Sequence, residues 1–327
     1  MAASAGAPAG AGDPLHFQRR VTMRAFSVED IKPGFGAVIR DFTVSGNVRK
    51  QDFDALMEVF RDRRLLVIPS RGIEPAEQVA FSRLFGPLEV HAETRFILRD
   101  HPEVIRIGNA VENGKPCAAF SIGVEQWHSD SSYRPSPSIA SLFYAEIVPP
   151  SGGDTLFADA VTAYANLPSA AKTRIDGLCA VHDYEYFDRW LGVINEGRPP
   201  YSDEKRRKFP PHRQPIVRTH PVTGVKSLLL CPAVISGIEG LAPSESRLLL
   251  DALTAFATQD RYVYRHRWTR GDLVIWDNLC TLHTATSFDH TRHTRLMRRT
   301  TVTSYVDTVA RAGASSRSTA SPSAISA

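Results

Sequence analysis

Gly271-Asp272-Leu273-Val274-Ile275-Trp276 decides the fold. Four consecutive apolar side chains stand between a glycine and Asp277-Asn278, too short a run for a helix, and an apolar run of this length closed by turn residues is a buried strand. Outward from it, Arg261 to Trp268 alternates as a strand, and Thr281 to Thr284 and Leu296 to Val302 follow as two more. Further upstream, Ser138 to Val148 (SIASLFYAEIV) and Thr155 to Phe157 flank the turn Pro149-Pro150-Ser151-Gly152-Gly153. Helical patterns are fewer. Asn47 to Arg61 sets Phe53, Leu56, Met57 and Phe60 at helical spacing ahead of a short strand from Arg64 to Pro69, and Pro75 to Phe85 opens with a proline in its first turn. Asp159 is placed to cap a short helix through Tyr164, Ser169 to Leu178 is another, and Pro243 to Thr258 is amphipathic. Many short strands with a few peripheral helices predict a mainly β fold, most economically a double-stranded β-helix of the jelly-roll kind.

Composition bounds the function. The 327 residues are 43% hydrophobic and 23% charged with a net charge of +4, the profile of a globular chain without the basic stripe that nucleic acid requires. No apolar run approaches the roughly 18 residues needed to span a bilayer, and the N-terminal MAASAGAPAGAGDP has no apolar leader core, so a cytoplasmic protein with no membrane partner is expected. Cys117, Cys179, Cys231 and Cys280 show no paired spacing and read as free thiols. Ala, Gly and Pro dominate 1–20 and Ser and Ala dominate 309–327, which predicts two disordered tails around a single domain over 21–308. Between Tyr184 and Arg213 the chain is Pro-rich, aromatic and charged without clean periodicity, the pattern of a lid, a binding loop or a solvated excursion.

The candidate chemistry starts at Trp127-His128-Ser129-Asp130. On extended backbone a His-x-Asp pair projects imidazole and carboxylate to one side. With a second histidine, for which His283 is the candidate, this makes the 2-His-1-carboxylate facial triad that leaves coordination positions open and suits Fe(II) oxygen chemistry. Taken alone the pair is as readily a satisfied histidine, given 11 His and 35 acidic residues in the chain. Its companions carry more weight. Gly152-Gly153-Asp154-Thr155 follows, with Thr155 27 residues after His128 (155 minus 128), then Val217-Arg218-Thr219-His220-Pro221, Trp276-Asp277-Asn278, His283 and Arg295-Leu296-Met297-Arg298-Arg299.

This order and wording resemble the taurine dioxygenase family of Fe(II)/2-oxoglutarate-dependent oxygenases, and within it the 2,4-dichlorophenoxyacetate dioxygenase branch looks nearest, over roughly Phe35 to Val302. The resemblance implies that His128, Asp130 and His283 hold Fe(II), and that 2-oxoglutarate and O₂ take the remaining positions. It also implies that Arg295, 12 residues after His283 (295 minus 283), clamps the far carboxylate of 2-oxoglutarate with help from Thr155. Arginine suits that task because it holds a carboxylate through two parallel hydrogen bonds. Arg299 shares a strand face with Arg295 and matches the position that binds a substrate's sulfonate or carboxylate; His91 and Ser132 join it as candidate substrate contacts. A structural ion pair is the competing reading of Arg299. The implied reaction is hydroxylation of a small anionic organic substrate with release of succinate and CO₂, followed by cleavage if the hydroxylated carbon bears a leaving group. A halogenase is argued against by Asp130, where a small residue would be needed. The rival readings are a non-catalytic metal-binding sensor, disfavoured by Arg295 and Thr155, and a hydrolase using another metal in the same site; a homo-oligomer is compatible with either.

Overall fold

Strict alternation along a few strands sorts the side chains of this protein into three apolar layers. The computed structural model describes residues 25–70, 72–90, 94–120, 125–194 and 199–305. The expected tails at 1–20 and 309–327 lie outside them. The principal sheet has eight strands in the order Ser27–Lys32, Phe35–Arg40, Leu65–Pro69, Asp272–Asp277, Ala140–Ile147, Leu296–Val302, His101–Gly108 and Ile97–Leu98. A smaller sheet of Val263–His266, Thr155–Asp159 and Thr281–Ala285 faces it, and the two together form a jelly roll.

On Ala140–Ile147, Phe143 and Ala145 point inward while Leu142 and Tyr144 point outward, and on Asp272–Asp277 Val274 and Trp276 point inward opposite Leu273 and Ile275. The inward set meets Phe157, Trp268 and Met297 in the layer between the sheets. The outward set of the large sheet packs on the helices Lys50–Arg63 and Pro75–Arg83 through Leu56, Phe60 and Phe81, and on Phe85 just past the second helix. Behind the smaller sheet, Ala158 and Leu282 join a third layer with Leu249, Leu250 and Leu253 of the helix Pro243–Ala257.

The expected strands and helices are found with ends shifted by a few residues, and Asp159 caps Ala160–Ala165 by accepting from the backbone N of Val161 and Thr162, both at 3.1 Å. One expectation is corrected. The described residues of 184–213 include regular elements: Tyr184–Ile194 and Asp203–Lys208 are helices, and His212–Pro215 is a strand. Asp183 Oδ1 accepts from the backbone N of Glu185 at 2.9 Å and starts the first helix; Phe187, Trp190, Leu191 and Ile194 then recur at helical spacing, a pattern masked by the prolines that follow. Among the described residues no helix is long and apolar enough to cross a membrane.

One buried group makes a testable contribution to acid sensitivity. His182 is 0% exposed and neither ring nitrogen has a hydrogen-bond partner among the described residues, so burial, with Arg218 nearby, depresses its pKa to about 3. The unfolded chain binds a proton there below about pH 6.5 and the native chain does not, so stability falls as pH drops, by at most about 1.4 kcal/mol per pH unit. Urea unfolding at pH 7 and pH 5 should show His182→Leu gaining on the wild type at the lower pH; parallel losses would mean that His182 is protonated in the native state.

Candidate active site

The strands that build the inner layer also deliver the candidate site. His128 pairs with His283 across an isolated antiparallel bridge, His128 N to His283 O at 3.0 Å and His283 N to His128 O at 2.8 Å, which fixes the His-x-Asp segment against the small sheet. Their rings lie 4.2 Å apart between centroids, and His283 is walled by Trp276 at 4.9 Å and Phe157 at 6.1 Å. Asp130 Oδ1 lies 3.9 Å from Nε2 of each histidine, and the three donor atoms all fall within 4.8 Å of one another. The tautomer suits a cation. Nδ1 of His128 donates to Gln126 O at 2.7 Å, leaving the Nε2 lone pair directed at the cluster.

Charge settles in the same sense. Burial, with His128 and Arg299 adding to it, depresses His283 to about 3 despite Asp130, so it is a neutral donor. Burial alone would push the Asp130 carboxyl up, but Arg299, both imidazoles and the Ser141 hydroxyl outweigh it and hold it well below the usual carboxylate range. The neutral His283 imidazole, Nε2 of His128 and a carboxylate crowded at such distances fit a divalent metal with open positions.

A second cluster, His220, Asp277 and Cys280, has its donors equally close. Its histidine is already satisfied: Nδ1 accepts from the backbone N of Val222 and Thr223 at 3.2 and 3.0 Å, and Nε2 faces Asp277 and the Tyr305 hydroxyl at 3.1 and 3.0 Å. This is a latch between the 277–280 turn and the end of the last strand.

Arg295 and Thr155 lie where the Gly-rich turn meets the last strand. Arg295 is 7% exposed, and its guanidinium has no acceptor within hydrogen-bond distance among the described residues; it lies 5.6 Å from the Phe143 ring centroid. Burial depresses its pKa to about 10, with Asp154 opposing. Asp154 is itself engaged by Arg265 Nε at 2.7 Å. Gly153, at φ +67, is the floor under this side chain, since a Cβ there would stand 3.2 Å from Arg295 Cδ. Thr155 Oγ1 accepts from Trp268 Nε1 at 3.0 Å, which leaves its own proton for a ligand. A buried cation without an acceptor is costly unless an anion meets it.

Arg299 shares the inward face with Met297, as parity predicts, while Arg298 points outward to Glu146 at 3.1 Å. The structure brings Arg299 to an internal acid: its Nη1 donates to Asp130 Oδ1 at 2.7 Å. Its Nε is buried without a partner among the described residues. Ser132, two residues after Asp130, is 1% exposed and its hydroxyl meets the Cys231 thiol. His91 lies outside the described residues. Sequence reasoning missed Ser141, whose Oγ donates to Asp130 Oδ2 at 2.7 Å, and took Asn278 for a turn residue only. The signal for Ser141 was a serine among the apolar side chains of a buried strand. Also missed was an aromatic group built by the new helices: Tyr133 lies 4.5 Å from Tyr184 and 5.6 Å from Phe209, and Tyr184 lies 6.1 Å from Tyr201.

Residues 27–301 match the taurine catabolism dioxygenase TauD, TfdA family, and the chain belongs to that family. It is similar to an alpha-ketoglutarate-dependent 2,4-dichlorophenoxyacetate dioxygenase of Cupriavidus pinatubonensis, at 36% identity over 83% of this chain and 96% of the relative. It is also similar to an (S)-phenoxypropionate/alpha-ketoglutarate-dioxygenase of Sphingobium herbicidovorans, at 35% identity over 82% and 92%. Among solved structures, AAD-2 in complex with Mn(II) and N-oxalylglycine superposes with a TM-score of 0.72 at 31% identity, covering 85% of this chain and 96% of that one.

Proposed function

We propose that this chain is an Fe(II)/2-oxoglutarate-dependent dioxygenase that hydroxylates a small anionic organic substrate, and cleaves it where the hydroxylated carbon bears an ether oxygen or sulfonate. Family membership supports the reaction class and neither the sensor nor the hydrolase. The observation that carries the cosubstrate assignment is Arg295, a buried guanidinium with no acceptor among the described residues, together with Thr155, whose hydroxyl accepts from Trp268 and keeps its own proton to donate.

His128, Asp130 and His283 would hold the iron, with Arg295 and Thr155 receiving the far carboxylate of 2-oxoglutarate. When bound, iron supplies dioxygen activation, with 2-oxoglutarate giving two electrons as it becomes succinate and CO₂. The chain's own contribution is orientation and exclusion of water. Trp276, Phe157 and Phe143 form a dry wall beside the ligands, and Arg299 offers the substrate its remaining donors. A charge count favours an acid there. A dication and the Arg299 guanidinium against the Asp130 carboxylate and the near carboxylate of 2-oxoglutarate leave a net positive charge on the substrate side. Tyr133, Tyr184 and Phe209 add ring faces to that side, which suits a flat aryl acid. The four free thiols, three of them buried, suit the reducing cytoplasm.

The test is a screen of aryloxy acids, other carboxylates and sulfonates for substrate-stimulated succinate formation by the Fe(II)-loaded protein; a neutral best substrate would remove the anionic reading. The clamp has its own check. Arg295→Lys keeps the charge and loses the forked geometry, so the 2-oxoglutarate concentration for half-maximal succinate formation should rise by about ten- to a hundredfold, one charge-assisted hydrogen bond being worth about 1.5–3 kcal/mol. Unchanged dependence would move the clamp elsewhere.

A further inference from the structure

The two oxygens of Asp130 are held differently. Oδ1 is the atom that lies 3.9 Å from Nε2 of both His128 and His283. Oδ2 accepts the 2.7 Å hydrogen bond from Ser141 Oγ, and Ser141 is 0% exposed in the strand Ala140–Ile147. A serine hydroxyl has one proton, so what it receives decides what it can give. Asn278 Nδ2 donates to Ser141 Oγ at 3.0 Å, which occupies the hydroxyl as an acceptor and commits its proton to Asp130. The Asn278 amide is fixed in turn. Its Oδ1 accepts from Trp276 Nε1 at 2.8 Å and faces the backbone N of Asp130 at 3.4 Å, while Ser129 Oγ donates to the Asn278 carbonyl at 2.6 Å. An indole N–H can only donate, so a flipped amide would set donor against donor, and the direction of the whole chain is determined from Trp276 onward.

We infer that Ser141, oriented through Asn278 by Trp276, is a positioning residue that makes Asp130 a one-oxygen ligand. The inference rests on the reading of His128, Asp130 and His283 as metal ligands. A carboxylate beside a dication is free to bind through one oxygen or both. Three protein ligands leave three positions, of which 2-oxoglutarate takes two and dioxygen one, so a second Asp130 oxygen would displace one of them. Occupying Oδ2 with a donor that has nowhere else to point keeps the third position open. The relay therefore governs how many positions remain, and metal affinity follows from the ligands themselves.

The experiment uses the full chain with Co(II), whose visible d–d bands report coordination number, titrated without oxygen before and after addition of 2-oxoglutarate. Ser141→Ala should bind Co(II) as tightly as wild type or tighter, show bands shifted toward higher coordination without 2-oxoglutarate, and bind 2-oxoglutarate about tenfold more weakly, or about 1.4 kcal/mol, because the second Asp130 oxygen competes for a position it needs. Ser141→Thr, which returns the hydroxyl, should restore both bands and affinity. Asn278→Ala should move them in the direction of Ser141→Ala, and it serves as the readout if Ser141→Ala does not fold. Wild-type bands and 2-oxoglutarate affinity in Ser141→Ala, or in Asn278→Ala as its substitute, would overturn the inference, as would loss of Co(II) from a folded Ser141→Ala. Asp130→Ala separates the premise from the inference: Co(II) bands retained in that variant overturn the ligand set itself.

Discussion

Alanine in place of His128, Asp130 or His283 is expected to abolish 2-oxoglutarate-coupled turnover and to remove most Fe(II) binding while leaving a folded apo-protein. The three donor atoms lie within 4.8 Å of one another and act on one ion, so losing any of them leaves two weakly placed ligands. The apo-proteins should differ among themselves. His283 Nδ1 has no partner among the described residues and His128 spends its Nδ1 on one carbonyl, so truncating either forfeits little beyond packing. Asp130→Ala leaves Arg299 and Ser141 without their shared acceptor, and breaking a buried pair in this way costs about 3–5 kcal/mol. Thermal melting with chelator and with excess Fe(II) under nitrogen reads both effects. Wild type should gain about 2.7 kcal/mol at a hundredfold excess over Kd, and the variants should gain almost nothing. A metal-dependent rise in Tm in any variant, with turnover near wild type, would take that residue out of the ligand set.

What could be read beforehand divides along physical lines. The runs Ala140–Ile147, Asp272–Asp277 and Leu296–Val302 announce themselves because both of their faces are buried, one against Trp276, Phe157 and Met297 and the other against Phe81 and Phe85. Parity along Leu296–Val302 also placed Arg299 on the inward face, since that depends only on the pleat. The hairpin of Ser27–Lys32 and Phe35–Arg40 is different: its first strand is an exposed edge of mixed residues, stabilised by pairing that local pattern does not encode. Tyr184–Ile194 was hidden by the prolines downstream of it. The Arg299 to Asp130 bond joins residues 169 apart, and the Ser141 to Asn278 bond joins residues 137 apart, so neither contact exists until the strands carrying them are stacked. Ligand types are legible from residue chemistry; the groups that orient them arise from tertiary register.

Arg299→Ala should separate the primary substrate from 2-oxoglutarate. Arg295 and Arg299 lie on one strand face four residues apart, roughly 13 Å along the backbone at strand rise, enough to address different carboxylates near one metal. Arg299 is not an idle cation, because Asp130 Oδ1 takes its Nη1 at 2.7 Å. That oxygen is also the one nearest both histidines, so a bound dication would draw on the same lone pairs and leave the guanidinium available to an incoming acid. Removing the guanidinium should therefore weaken the substrate by about 2–5 kcal/mol, the usual cost of truncating one partner of a buried charge pair, while 2-oxoglutarate binding stays near wild type because Arg295 and Thr155 are untouched. Metal binding should hold or tighten, since a competitor for Oδ1 is gone. The measurement is a pair of titrations on the metal-loaded, oxygen-free protein, one with 2-oxoglutarate and one with the acid that stimulates succinate formation best. Equal weakening of both ligands would reduce Arg299 to a support for Asp130, and an unchanged substrate affinity would move the acid anchor to another cation.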